Sequence, residues 1–151
     1  MKKLGIWLIA IIFATAFVSS CRHKAKQDMS PEAVAERVWQ FSQAHPDGFT
    51  IDIRTFEEPQ VGIAVAYAAT QGCHSRESLT SVVTHALDHD GYVGGWYDSE
   101  SGLYYFDSSK LFPEDQMDEA LDFARKNGQL AIYDITTGEV IRIDEQLPLA
   151  A

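Results

Sequence analysis

Between Val61 and Ile135 the chain moves between the two-residue period of strands and the three-to-four-residue period of helices, in the order strand, helix, hairpin, helix, strand. Few arrangements accept that order. "VGIAVAYA" opens it with Val61, Ile63, Val65 and Tyr67 large and Gly62, Ala64, Ala66 and Ala68 small. Both faces of such a strand read as buried, so a central position is expected, with the small face open to the close approach of a helix. "SRESLTSVVTHALDHDG" follows as a helix, with Leu79, Val82, Val83, Ala86 and Leu87 as its apolar stripe and Gly91 as its stop. "YVGGWYDSESGLYYFDSSKLF" reads as a hairpin turning at Ser99–Gly102. Gly94-Gly95 within it points to a bulge or a close backbone approach. A second core helix is expected from Pro113, with Glu114 and Asp115 in its first turn. Met117, Ala120, Leu121 and Ala124 face its core, Arg125 and Lys126 occupy its last turn, and Asn127-Gly128 closes it.

This is the βαββαβ order of a ferredoxin-like split unit. Further elements flank it. Ser30 and Pro31 are start signals for an added N-terminal helix with Val34, Val38 and Phe41 on one face, ended by "HPDG" at 45–48. "FTIDIRT" alternates Phe49, Ile51 and Ile53 against Thr50, Asp52 and Arg54, and "LAIYDITTGEVIRID" is a last hairpin about Thr137-Gly138. The expected class is α+β: an antiparallel sheet with helices on one face, in a single domain over residues 30–147 followed by a tail at 148–151.

The first 29 residues are of another kind. Lys2 and Lys3, an apolar centre from Leu4 to Val18, and Ser19-Ser20 form the three parts of a secretory signal over residues 1–20. The apolar centre is short for a span, which takes about 20 residues. Val18-Ser19-Ser20-Cys21 resembles the lipobox of bacterial lipoproteins. The resemblance implies that the Cys21 thiol is diacylated, that cleavage falls before it, and that the new amino terminus is acylated. Two or three chains suffice for stable anchoring, since each buried CH₂ contributes about 0.8 kcal/mol. Arg22, rather than Asp, follows the cysteine, which resembles the pattern released to the outer membrane. Residues 21–29 then form a tether. The expected location is the cell envelope, with the membrane as a partner through lipid on Cys21.

Once the leader is removed, 10 Lys and Arg face 22 Asp and Glu, a net charge of −12. That balance opposes nucleic-acid binding, which needs bases to neutralise phosphates.

"GGWYD", "YYFDS" and "ALDFARKNGQLAIYDITTGEVI", spread over residues 48–143, are similar to a small domain that recurs in bacterial and phage-associated proteins. The similarity implies neither an activity nor catalytic residues.

Three groups of residues carry candidate chemistry. The first is the aromatic hairpin, Trp96, Tyr97, Tyr104 and Tyr105 with Asp98 and Asp107, where rings beside carboxylates suit a glycan or an envelope protein. Alternation sends Trp96 and Tyr97 to opposite faces. The second is Cys73, left as the only thiol after Cys21 is lipidated. It stands just before a helix, with His74 or His45 as its base in a thiol-dependent hydrolase. Cell-wall thiol hydrolases place their histidine later, on a strand, and here none follows His89. The third is the pair His85 and His89, four apart on a helix, a spacing used for zinc, with Cys73 as a third ligand. Ala86 stands where metalloproteases carry Glu, and both imidazoles fall on the flank of the apolar stripe, roughly 90 to 130 degrees round. No phosphate loop, serine elbow or dinucleotide fingerprint is present, and no cofactor is expected. The reading is of a lipid-anchored binding module, with the hydrolase and the zinc protein as alternatives.

Overall fold

The structure is a computed structural model that describes residues 28–143. Signal, cleavage site, Cys21 and the tail lie outside the described residues. Three helices and six strands follow in the order α1 (Pro31–Ala44), β1 (Gly48–Asp52), β2 (Ile63–Ala66), α2 (Arg76–Asp88), β3 (Tyr92–Asp98), β4 (Leu103–Phe112), α3 (Met117–Lys126), β5 (Ala131–Asp134) and β6 (Glu139–Arg142). The strands form one sheet in the order β1-β3-β4-β2-β5-β6, every neighbouring pair antiparallel. Its inner four, β3-β4-β2-β5, have the strand order of the ferredoxin-like unit. The protein is α+β, with β1 and β6 added as flanking strands and α1 as the extra helix.

All three helices lie on one face of the sheet. Phe49, Ile51, Val93 and Phe106 look into a core closed by Val34 and Val38 of α1 and Leu79, Val82, Val83 and Ala86 of α2. Ile63, Val65, Phe112 and Ile132 look into a second core under Ala120, Leu121 and Ala124 of α3. The cap chemistry behaves as the residues dictate. The Ser30 hydroxyl accepts from Ala33 N–H, and Ser75 and Ser78 form a capping box at the start of α2.

Three expectations are corrected. The small face of β2 meets no helix: by register Ala64 and Ala66 share the uncovered face with Leu111 and Ser109, while Ile63 and Val65 carry the helix side. α3 starts at Met117, four residues late, because Pro113–Gln116 closes a turn through Gln116 N–H to the Pro113 carbonyl. Its first-turn acids are therefore Asp118 and Glu119. The glycine pair makes no bulge, since β3 and β4 pair without interruption. It is a close approach: a Cβ on Gly95 would stand 2.5 Å from the Phe49 ring and 2.9 Å from that of Tyr104.

Candidate functional site

The uncovered sheet face is where the hairpin shows its rings. Trp96 and Tyr105 are opposite one another in register and stack with centroids 5.1 Å apart and planes at 23°. Each spends one face on the other, and Trp96 offers its second. Trp96 is 48% exposed, large for an indole with a stacking partner. Two residues along β4, Asp107 lies on the same face and accepts a hydrogen bond from the Trp96 indole N–H at 3.4 Å. Burial pushes the Asp107 carboxyl up to about 6, with the indole hydrogen bond opposing it. From the loop before α2, His74 packs its ring against Tyr105, with centroids 5.9 Å apart and planes at 65°. The result is an aromatic ledge, His74, Tyr105 and Trp96, with a half-buried carboxyl beside it. By register the positions next to that carboxyl are short: Gly94 on β3 and Ser109 on β4.

The hairpin residues do not act as one set. Tyr97 and Tyr104 pair on the helix side of the sheet. Tyr104 packs against Phe49 and Phe106 and donates its hydroxyl to the His45 carbonyl at 2.8 Å. Burial and Asp47 raise its pKa to about 12. Asp98 belongs to the turn: the Ser101 side chain, then Glu100 N–H and Ser101 N–H, hold its carboxylate below the usual carboxylate range. By register Asp98 and Asp107 stand four residues apart along the hairpin, about 13 Å at strand rise, too far to work as an acid–base pair.

The thiol alternative does not assemble. The half-buried Cys73 packs against the first core, and its carbonyl accepts from Phe106 N–H. His74 turns its Nδ1 to the Gly72 carbonyl and its ring to the ledge. His45 stacks on Phe41 at 3.9 Å and turns its Nδ1 to the Phe41 carbonyl. Among the described residues no imidazole hydrogen-bonds the Cys73 sulfur.

His85 and His89 do come together, stacked at 3.8 Å and 7° at the C-terminal end of α2. Cys73 precedes the first turn of that helix, about 14 Å away along its axis, so it is not their third ligand. Among the described residues no group of three or more His, Cys, Asp or Glu could hold a metal ion. The pair belongs to a different cluster. Tyr67 lies against both imidazoles and against Phe123 of α3, and its hydroxyl donates to the Asp90 carboxylate. Burial, then that carboxylate, push the phenol's pKa well up. His85 Nδ1 lies 2.9 Å from the Ser108 hydroxyl, a serine–histidine contact. Ser108 is fully buried, however, and no substrate carbonyl can reach it. The serine anchors the ring, and the cluster fills the seam between the two cores.

His85 carries a stability prediction. Burial and neighbouring His89 lower its pKa, against Asp88, so the unfolded chain takes up this proton at a higher pH than the fold does. Its contribution is complete above the unfolded value near about 6.5 and is lost as pH falls below it. Urea midpoints at pH 7.5 and 5.5 should show a smaller acid loss in His85→Gln than in the wild type; equal losses would contradict this.

Sequence reasoning missed His74 on the ledge, and Tyr67, Asp90 and Ser108 at the seam. Tyr67 ended an alternating strand, which gave its ring a face but not a hydrogen-bond partner 23 residues away. A surface hollow of about 420 Å³ lies beside Val61, Leu111, Phe112 and Pro113 and includes none of these groups. No family model, curated protein or solved structure matches this chain.

Proposed function

We propose that this protein is a lipid-anchored module of the bacterial cell envelope that works by binding a partner through the Trp96 end of its uncovered sheet face. The observation that carries the reading is the exposed Trp96–Tyr105 stack beside the half-buried Asp107. The site's position supports it. α1 carries the chain about 21 Å from Ser30 to His45, and Gly48, just beyond, pairs with Trp96. The start of α1 therefore lies away from the ledge, which leaves the ledge clear of the point where the described chain begins. The lipobox pattern supports the anchor, and the dispersal of Cys73, His74 and His45 supports binding over hydrolysis.

The test compares full-length chains in cells. Native material should carry acyl chains on Cys21 by mass spectrometry, and Cys21→Ser should leave the membrane fraction. In detergent-solubilised envelopes the wild type should sediment in a complex, before and after alkylation of Cys73. Trp96→Ala with Tyr105→Ala should sediment alone while remaining membrane-attached. A free wild-type monomer, or a double variant that still sediments in the complex, refutes the binding face. A hydrolytic activity that alkylation of Cys73 abolishes supports the thiol enzyme instead.

A further inference from the structure

We infer that the ledge takes a cation: an arginine or lysine side chain of a basic segment in an envelope protein, lying on the free Trp96 face with its charged group at Asp107. The inference rests on the binding face proposed above and names its occupant.

Charge is the first argument. From Gly91 to Ser109 the chain has no Lys or Arg, while Asp98, Glu100 and Asp107 are acidic. The segment that brings β1 alongside, His45 to Asp52, adds Asp47 and Asp52 and again has no Lys or Arg. On β4 the nearest base, Lys110, lies on the opposite face, its ammonium over the rings of Phe112 and Phe123. The Asp52 carboxylate is already held by Arg54, while among the described residues the hydrogen bond to Asp107 comes from an indole N–H at 3.4 Å. A carboxyl half withdrawn from water, with a long neutral hydrogen bond and no base paired to it among the described residues, is the acceptor that a guanidinium or ammonium satisfies.

The rings are the second argument. An indole face is the strongest side-chain partner for a cation in a π contact, and Arg also stacks on it. Trp96 keeps one face free, and its N–H already points to the carboxyl, so a cation on that face sits beside Asp107 as well. The short positions Gly94 and Ser109 leave room along the strands for the aliphatic stem. The whole-chain charge draws basic partners to the domain and repels anionic ones.

Asp107 must be ionised to hold a cation, which makes the contact pH-dependent. The titratable and charged groups on its side of the sheet are Tyr105 on β4, Tyr92 and Asp98 on β3, Asp52 on β1, His74 against Tyr105 and, farther across, Tyr133 on β5 and Arg142 on β6. Asp107, raised by burial to about 6, gains its charge near neutrality, in favour of binding.

The probe is an acetylated, amidated hexapeptide of alternating arginine and glycine, titrated calorimetrically into the full chain in neutral detergent. Affinity should rise at least tenfold from pH 5 to pH 8, with a midpoint near 6, and fall severalfold as salt rises. Asp107→Asn should reduce the pH dependence, in a His74→Gln background as in the wild type, and lose about tenfold at pH 8 and nothing at pH 5. Trp96→Ala should lose about tenfold at both, and Trp96→Phe should recover part of it. Unchanged thermal midpoints for the Trp96 variants exclude misfolding as the cause. A tetramer of N-acetylglucosamine should not bind. Oligosaccharide binding in place of the peptide, or peptide binding unmoved by Trp96→Ala and Asp107→Asn, overturns the inference. If the peptide fails while the envelope complex still depends on Trp96 and Tyr105, only the occupant is wrong; if the complex fails too, so is the binding face.

Discussion

Gly95→Ala is expected to destabilise the domain by about 3 kcal/mol or more, while Gly94→Ala, one residue earlier, should change it by less than about 1 kcal/mol. The two methyl groups enter opposite faces of the same strand. At Gly95 the new carbon meets the Phe49 ring at 2.5 Å and the Tyr104 ring at 2.9 Å. Neither ring yields easily. Phe49 is buried and in ring contact with Phe41, and Tyr104 is fixed by its hydrogen bond to the His45 carbonyl. At Gly94 the nearest atom is the Ser109 hydroxyl at 3.4 Å, an ordinary contact on the uncovered face. Urea unfolding of both variants measures the difference. Equal effects would mean that the two faces of β3 are packed alike, and the assignment of the ledge to the open face would fall with them.

That contrast shows what the residues alone reveal and what they leave hidden. Alternation sends Trp96 and Tyr97 to opposite faces whatever the tertiary fold, so the separation of the rings was legible. Which face the helices cover was not, because β2 presents apolar residues on both sides, and Ala64 and Ala66 suit a covering helix as well as an open surface. The order of elements pointed to the ferredoxin-like unit but left the strand order open, because the pairing of β2 with both β4 and β5 is long-range. The start of α3 misled because Pro113, Glu114 and Asp115 are good first-turn residues that are equally good in a tight turn.

The candidate site was half visible for a related reason. Trp96, Tyr105 and Asp107 lie within a dozen residues and share strand parity, so local pattern unites them. His74 reaches Tyr105 only because the Cys73 carbonyl bonds Phe106 N–H and lays the loop along the free edge of β4. That long-range pairing leaves no local signal. The same holds for the seam, where Ser108 meets His85 and Asp90 meets Tyr67 across 23 residues. Spacing placed His85 and His89 together, and they are together; what spacing cannot supply is a third ligand.

Asp107→Asn is expected to stabilise the domain, by up to about 3 kcal/mol at pH 8 and by almost nothing at pH 4. The folded carboxyl titrates near 6, against 3.8 for the ordinary side chain, because burial disfavours its charge. A raised folded pKa means that the group's contribution is complete below the unfolded value and is lost as pH climbs through the folded one. At about 1.4 kcal/mol for each pH unit between the two values, ionisation costs the fold about 3 kcal/mol at most. The asparagine carbonyl retains the Trp96 hydrogen bond and carries no charge, so only the penalty disappears. The slope is opposite in sign to that of His85, which is why wild-type stability against pH is a poor probe and the two variants must be read separately. Chemical denaturation of Asp107→Asn at pH 4, 6 and 8 measures the effect. No gain at pH 8 would mean that water already solvates the carboxylate, and with it would go the reason for a cation to occupy the ledge. A gain would mark a position where charge is kept at the expense of stability, as a residue selected for contact with a partner would be.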